Sequence, residues 1–185
     1  VEYQIDNPGK LYYCVTVTFD MFETSEGAEV NPFSDCRLDV VFSKGDKKYV
    51  VPGYYCADGE AGDTGGNSGS KWRVKFTPVE MGEWEFEAYF ARGEKIAVMD
   101  FGAGESVCAG KFEITKKAAS SKDLRSRGIL EYVGERYLRF SGDGGYFLKC
   151  GADSPENFLG YAEFDGTFDT KKSENDKLFI HKYGP

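Results

Sequence analysis

Residues 72–90 read Trp72-Arg73-Val74-Lys75-Phe76-Thr77-Pro78-Val79-Glu80-Met81-Gly82-Glu83-Trp84-Glu85-Phe86-Glu87-Ala88-Tyr89-Phe90. Trp72, Val74 and Phe76 alternate with Arg73, Lys75 and Thr77, and Trp84, Phe86, Ala88 and Phe90 alternate with Glu83, Glu85, Glu87 and Tyr89. A period of two collects the large apolar side chains on one face of each segment, the pattern of a half-buried strand. Pro78 and Gly82 flank the turn between them. Slipping either strand by one residue would expose its whole apolar set, so the register is strongly specified.

The same period extends in both directions. Leu11, Tyr13, Val15, Val17 and Phe19 alternate with Tyr12, Cys14, Thr16 and Thr18. After a polar stretch from Glu23 to Pro32, Cys36, Leu38, Val40 and Phe42 alternate with Arg37, Asp39 and Val41. Lys44-Gly45-Asp46-Lys47 reads as a hairpin loop into Tyr49–Val51, and Pro52-Gly53 stops that strand. Ala57 to Ser70 carries five glycines and no apolar period, and reads as a long flexible loop. A last strand is expected from Cys108 to Thr115. Roughly seven strands with regular turn signals and no helical stripe predict an all-β fold, a β-sandwich of immunoglobulin type from about Leu11 to Thr115. Its expected core is Val15, Val17, Phe19, Leu38, Val40, Trp72, Val74, Phe76, Trp84 and Phe86.

The chain has 185 residues, a net charge of −8 and a pI near 4.8. A chain of this length buries roughly 70% of its unfolded surface and needs no metal or disulfide to fold. The acidic balance argues against nucleic acid and against an anionic membrane surface. No apolar run approaches the ~20 residues that span a bilayer. No initiator Met and no signal segment precede Val1, so the chain reads as a processed or trimmed piece. Cys14, Cys36, Cys56, Cys108 and Cys150 form no CxxC pair. They read as mostly free, buried thiols rather than a zinc site, with one disulfide left open.

Lys116 to Ser126 is polar and charged, and reads as a linker. Gly128–Tyr132 and Arg136–Phe140 form a hairpin about Gly134-Glu135, Asp143-Gly144-Gly145 turns again, and residues 146–151 are a further apolar run. The rest is aromatic, acidic and irregular to Pro185. The expected division is a sandwich over residues 1–117, a linker and hairpin over 118–145, and an incomplete unit over 146–185. One hairpin, one strand and an aromatic tail cannot bury both faces of a sheet, so residues 146–185 are expected to lie on the sandwich, cross it extended, or pair with another chain as a homo-oligomer.

Several runs carry a resemblance. Pro32-Phe33-Ser34-Asp35 leading into Arg37-Leu38, Val51-Pro52-Gly53-Tyr54-Tyr55 with Ala57-Asp58-Gly59, Lys71 to Pro78, and Gly82-Glu83-Trp84 together resemble the immunoglobulin-like N-terminal domain of unknown function found ahead of apiosidase-like glycoside hydrolase barrels. The stretch Phe147 to Leu159 resembles the run that opens the (β/α)₈ barrel in that family, with Cys150 where Gly is expected, and His181-Lys182-Tyr183 resembles the next element. The resemblance implies that the chain is the front end of a larger enzyme, with residues 146–185 the start of a truncated glycoside hydrolase barrel. It also implies a polysaccharide substrate and a secreted, periplasmic or cell-surface setting.

Asp153, Glu156 and Asn157 follow the apolar run 146–151. If that run is a barrel strand they stand at its C-terminal end, where barrel enzymes place substrate-binding groups. A polar turn at Ser154-Pro155 capped by Asp153 is the structural alternative. Glu163, Asp165 and Asp169, interleaved with Tyr161, Phe164 and Phe168, suit sugar hydroxyls and ring faces, but nothing fixes a glycosidase carboxyl pair, and a solvated loop is the plainer reading. Asp58 to Asp63 alternates acids but lacks the ligand order of a calcium loop. His181 is the sole histidine and completes no triad. No nucleotide-binding glycine motif is present. Trp72 and Trp84 read as core, not as a sugar platform. No catalytic residue, cofactor or metal is therefore expected within this stretch. The leading function is a non-catalytic accessory module of a polysaccharide-degrading glycoside hydrolase, its partners carbohydrate or the catalytic barrel of the same polypeptide. The alternative is a free-standing carbohydrate-binding or adhesion module.

Overall fold

The structure, a computed structural model, describes residues 1–100, 104–117, 122–149 and 151. Among them eight strands form two four-stranded antiparallel sheets. The first sheet runs β1 (Glu2–Asp6), β2 (Val15–Ser25), β6 (Ser68–Phe76) and β5 (Tyr54–Tyr55), side by side in that order. The second runs β4 (Lys47–Pro52), β3 (Cys36–Lys44), β7 (Gly82–Arg92) and β8 (Glu105–Ile114). Each sheet turns its apolar side toward the other. All ten expected core residues are buried there, Val15, Val17, Phe19, Val40, Val74 and Trp84 completely. Burying each such side chain stabilises the fold by roughly 1.5–3 kcal/mol. Cross-sheet aromatic contacts fill the middle: Phe42 stacks on Phe76 with centroids 4.2 Å apart, and Trp84 meets Phe76 edge-on at 5.0 Å.

Register and loop contacts fix two ends of the sandwich. At one end the β2–β3 loop (residues 26–35) is tied to both neighbouring loops. Glu26 N donates to Asn67 O, Gly93 N to Asp35 O and Ala97 N to Ser34 O. At the other end Tyr12 N donates to Pro78 O and Leu11 N to Lys116 O, so the chain leaves the sandwich there. The switch from the second sheet to the first occurs at Gly53, whose N–H bonds to Leu38 O. A Cβ at Gly53 would stand 2.5 Å from Leu38 Cδ2 and 3.0 Å from Arg73 O, which is why glycine occupies the crossing.

Four expectations need correction. The strand read from Leu11 begins at Val15, because Tyr12 is left-handed (φ 66°) and closes a turn, leaving Leu11 buried but Tyr13 outside the core. The polar stretch from Glu23 is partly strand, since β2 continues to Ser25. The glycine-rich loop 57–70 is ordered locally. It contains a turn of helix, α1 (Ala61–Thr64), closed by left-handed Gly65, and its last residues already belong to β6. Asp39, on the outward-facing side of the alternation, is buried against Arg37, which donates to its carboxylate. The sequence reading also names no strand before Leu11, whereas β1 lays Tyr3 and Ile5 over the core, with Tyr3 edge-on to Phe86 at 5.3 Å.

Past the exit, Leu124–Arg127 forms a 3-10 turn in what reads as linker, and Asp123 anchors it. The Tyr13 hydroxyl donates to the Asp123 carboxylate, and the Arg125 guanidinium lies 4.0 Å over the Tyr13 ring. A small antiparallel sheet follows, with β10 (Leu138–Phe140) between β9 (Leu130–Glu131) and β11 (Tyr146–Phe147). The expected hairpin about Gly134-Glu135 is thus present, with short arms. Tyr146–Phe147 pairs antiparallel to β10, whereas a first barrel strand would lie parallel to its barrel neighbours. The expected barrel start beyond Gly151 lies outside the described residues.

Candidate functional site

Asp153, Glu156 and Asn157 lie outside the described residues, as do His181, Cys150 and the acids at 163, 165 and 169. Among the described residues no cluster of three or more His, Cys, Asp or Glu side chains comes together as a metal site. No helix there is long and apolar enough to cross a membrane. Cys14, Cys36, Cys56 and Cys108 are free thiols, and burial pushes the Cys36 and Cys108 thiols up, away from thiolate chemistry.

Three of the runs that carry the resemblance, 32–38, 51–55 and the start of 71–78, meet at one end of the sandwich, whereas Pro78 lies at the other and Gly82-Glu83-Trp84 takes no part in the cleft. Pro32, Phe33, Leu38, Pro52, Tyr54 and Trp72 line a cleft of about 140 Å³. Asp35 orders the β2–β3 loop beside it. Its carboxylate accepts from Lys95 N (2.9 Å) and from the Ser34 hydroxyl (3.0 Å), and these hold the carboxyl below its ordinary range. Asn31 O accepts from Asp35 N, and Asn31 Oδ1 from Phe33 N. Phe33 is thereby held half in solvent, edge-on to Tyr55 at 5.9 Å. The Tyr55 hydroxyl donates to Thr24 O at 2.7 Å. Both carboxylate oxygens of Asp35 are engaged in holding the loop, Oδ2 accepting from Asn31 N at 3.3 Å.

The Asp58 loop is built the same way. Asp58 accepts from Glu60 N (2.8 Å) and the Thr64 hydroxyl (2.6 Å), which keep its carboxyl below the usual range, the hydroxyl contributing most. Both oxygens serve the loop's own fold. Glu60 turns away to Arg73, 2.8 Å distant.

The outer face of the first sheet is where polar groups gather. Strand pairing sets them in rows: Asp6, Thr16 and Lys75; Gln4, Thr18 and Arg73, with Tyr54 beyond Arg73; and Glu2, Asp20 and Lys71. The first two rows, with Glu60, line a groove of about 400 Å³, continuous through Gln4 and Thr18 with a smaller one of about 190 Å³ over the third row. Arg73 is fixed by Thr18 Oγ1 (3.1 Å) and Glu60, and Asp20 is held by Lys71 and Ser70. Partial burial pushes the Tyr54 hydroxyl up, so it stays a neutral donor and acceptor. On the outer face of the second sheet Lys111 pairs with Glu83 and Glu85, and Glu87 accepts from Ser106. The sequence reading assigns no role to Gln4, Asp6, Thr16 or Lys75. Their alternation is visible in it, but their meeting depends on pairings across β1, β2 and β6.

Residues 10–91, from the turn before β2 almost to the end of β7, match the profile of a domain of unknown function, DUF5060. The match leaves out β1, β8 and the small sheet. No curated protein matches the chain. Among solved structures it is similar to a glycoside hydrolase candidate from Bacteroides vulgatus ATCC 8482, at 23% identity and a TM-score of 0.47, over 75% of this chain and 20% of that one. The chain thus spans about a fifth of that protein's length.

Proposed function

We propose that this chain is a non-catalytic accessory module of a polysaccharide-degrading glycoside hydrolase, immunoglobulin-like in its sandwich and followed by the start of the catalytic barrel. The observation that carries this reading is the convergence just described. The runs by which residues 32–84 resemble the module ahead of apiosidase-like barrels fall inside the stretch that matches the domain of unknown function, and three of them supply most of the end cleft. The strand order supports the immunoglobulin-like assignment, since β1-β2-β6-β5 against β4-β3-β7-β8 has the A-B-E-D against C′-C-F-G arrangement. The accessory role is supported by the carboxylates of Asp35 and Asp58, which hold backbone N–H groups and hydroxyls of their own loops in place. A glycosidase needs two carboxyls facing each other across a bond, about 5–9.5 Å apart. In this reading the catalytic barrel of the same polypeptide covers Tyr132, Leu138 and Leu148, exposed on and beside the small sheet, and the setting is secreted, periplasmic or cell-surface. The test is reducing-sugar release from plant polysaccharides by the purified chain. None is expected; release that survives repurification and disappears on Asp153→Ala or Glu156→Ala would overturn the proposal.

A further inference from the structure

We infer that the groove on the outer face of the first sheet is a binding site for a neutral, hydroxyl-rich polysaccharide, with Asp6, Gln4, Thr16 and Lys75 as its polar contacts and Tyr54 at its edge. The inference deepens the accessory-module reading and rests on it. The side chains of Gln4, Asp6, Thr16 and Lys75 have no hydrogen-bond or ion-pair partner among the described residues, and they line one groove. Asp6 and Lys75 stand on either side of Thr16, two strand spacings or roughly 10 Å apart across the sheet. The lining holds Asp6 and Glu60 against Arg73 and Lys75, so its formal charge is balanced. A polyanion gains nothing from such a surface, and neither does an apolar ligand. A polyol gains from it, because each hydroxyl both donates and accepts: it can donate to Asp6, accept from Lys75, and do both with Gln4 and Thr16.

The geometry also suits a chain-like ligand. Three rows along the strands cover roughly 13 Å at the ordinary strand rise, room for a short run of sugar rings. The rows sit on paired backbone, so their spacing is set before any ligand arrives, which lowers the ordering cost of binding. Arg73, clamped by Thr18 and Glu60, adds a fixed guanidinium in mid-groove. Tyr54, cross-strand neighbour of Arg73 and 40% exposed, offers a ring at the rim beside the end cleft.

Affinity electrophoresis of the whole chain tests this, with xyloglucan, mixed-linkage β-glucan, arabinoxylan and galactan as neutral probes and polygalacturonate as the anionic one. Retardation by at least one neutral polymer and none by polygalacturonate is expected. The double variant Asp6→Ala, Lys75→Ala should weaken binding at least tenfold, and Tyr54→Ala several-fold, with circular dichroism and unfolding midpoint unchanged. No retardation by any neutral polymer, preference for polygalacturonate, or unchanged binding in the double variant would overturn the assignment. Binding lost in Phe33→Ala but kept in the double variant would place the sugar in the end cleft instead, overturning this site while leaving the accessory reading intact. Sugar release by the chain would refute the accessory reading whatever the groove binds.

Discussion

The sandwich and the small sheet use the same alphabet and arrive at opposite surfaces. In the sandwich, Trp72, Trp84, Phe19 and Phe42 vanish between two sheets; in the small sheet, Tyr132, Leu138, Tyr146 and Leu148 remain exposed. Phe140 alone is buried there, beneath Phe147 and the Arg127 guanidinium. Alternation makes a strand in both regions. What differs is the second layer, because a sheet hides one face only when something packs on it. Burial is therefore a property of the pair of sheets and cannot be assigned to a strand by itself.

Substitutions sharpen that contrast. Trp84→Ala should cost about 3–5 kcal/mol of stability, the range for emptying a large aromatic site in a packed core. Tyr132→Ala, equally aromatic but exposed, should stay within about 0.5 kcal/mol. Guanidinium unfolding curves measure both, and comparable losses would erase the distinction. Charge pairs should divide the same way. Asp39→Ala strands a largely buried Arg37 and should cost roughly 1–3 kcal/mol. Glu135→Ala removes the exposed partner of Arg139 and should leave the midpoint where it was.

The smallest effect expected is at the joint between the two regions. Arg125 first, then Tyr13, hold the Asp123 carboxyl well below the usual carboxylate range. A folded-state pKa depressed in this way gives a contribution that is complete above the unfolded value, about 3.9, and is lost progressively as pH falls below it. Acidification below about pH 4 should progressively weaken the hold of Tyr13 on residues 122–127, and Asp123→Asn should release them at neutral pH. Amide hydrogen exchange at Ser126 and Gly128 reads this directly. Protection that persists in the variant at neutral pH would show that the joint is held by other contacts.

Period two carried the sequence reading a long way: all ten residues expected as the core are buried, down to both tryptophans. It failed where order comes from elsewhere. β1 is five residues long with only Tyr3 and Ile5 inward, too brief to announce itself. α1 sits in a glycine-rich loop because Asp58 holds Glu60 N and the Thr64 hydroxyl and Gly65 closes it, local hydrogen-bond chemistry with no apolar signature. Tyr13 was placed inward by counting back from Val15 through a residue that turns left-handed. The groove was hidden for a different reason. Asp6, Thr16 and Lys75 are neighbours only through two strand pairings, and a single sequence states neither.

The borders of the two sheets remain. β5 is two residues long, β4 opens on Lys47-Lys48 and ends on Pro52, β1 carries acids at both ends, and β8 carries Glu105, Lys111 and Glu113. Short length, lysines, proline and charge are the devices by which a sheet refuses a further strand. The sandwich is thereby guarded against edge-to-edge growth into aggregates, and whatever joins it must do so through side chains on its faces or loops, a mode that can be reversed.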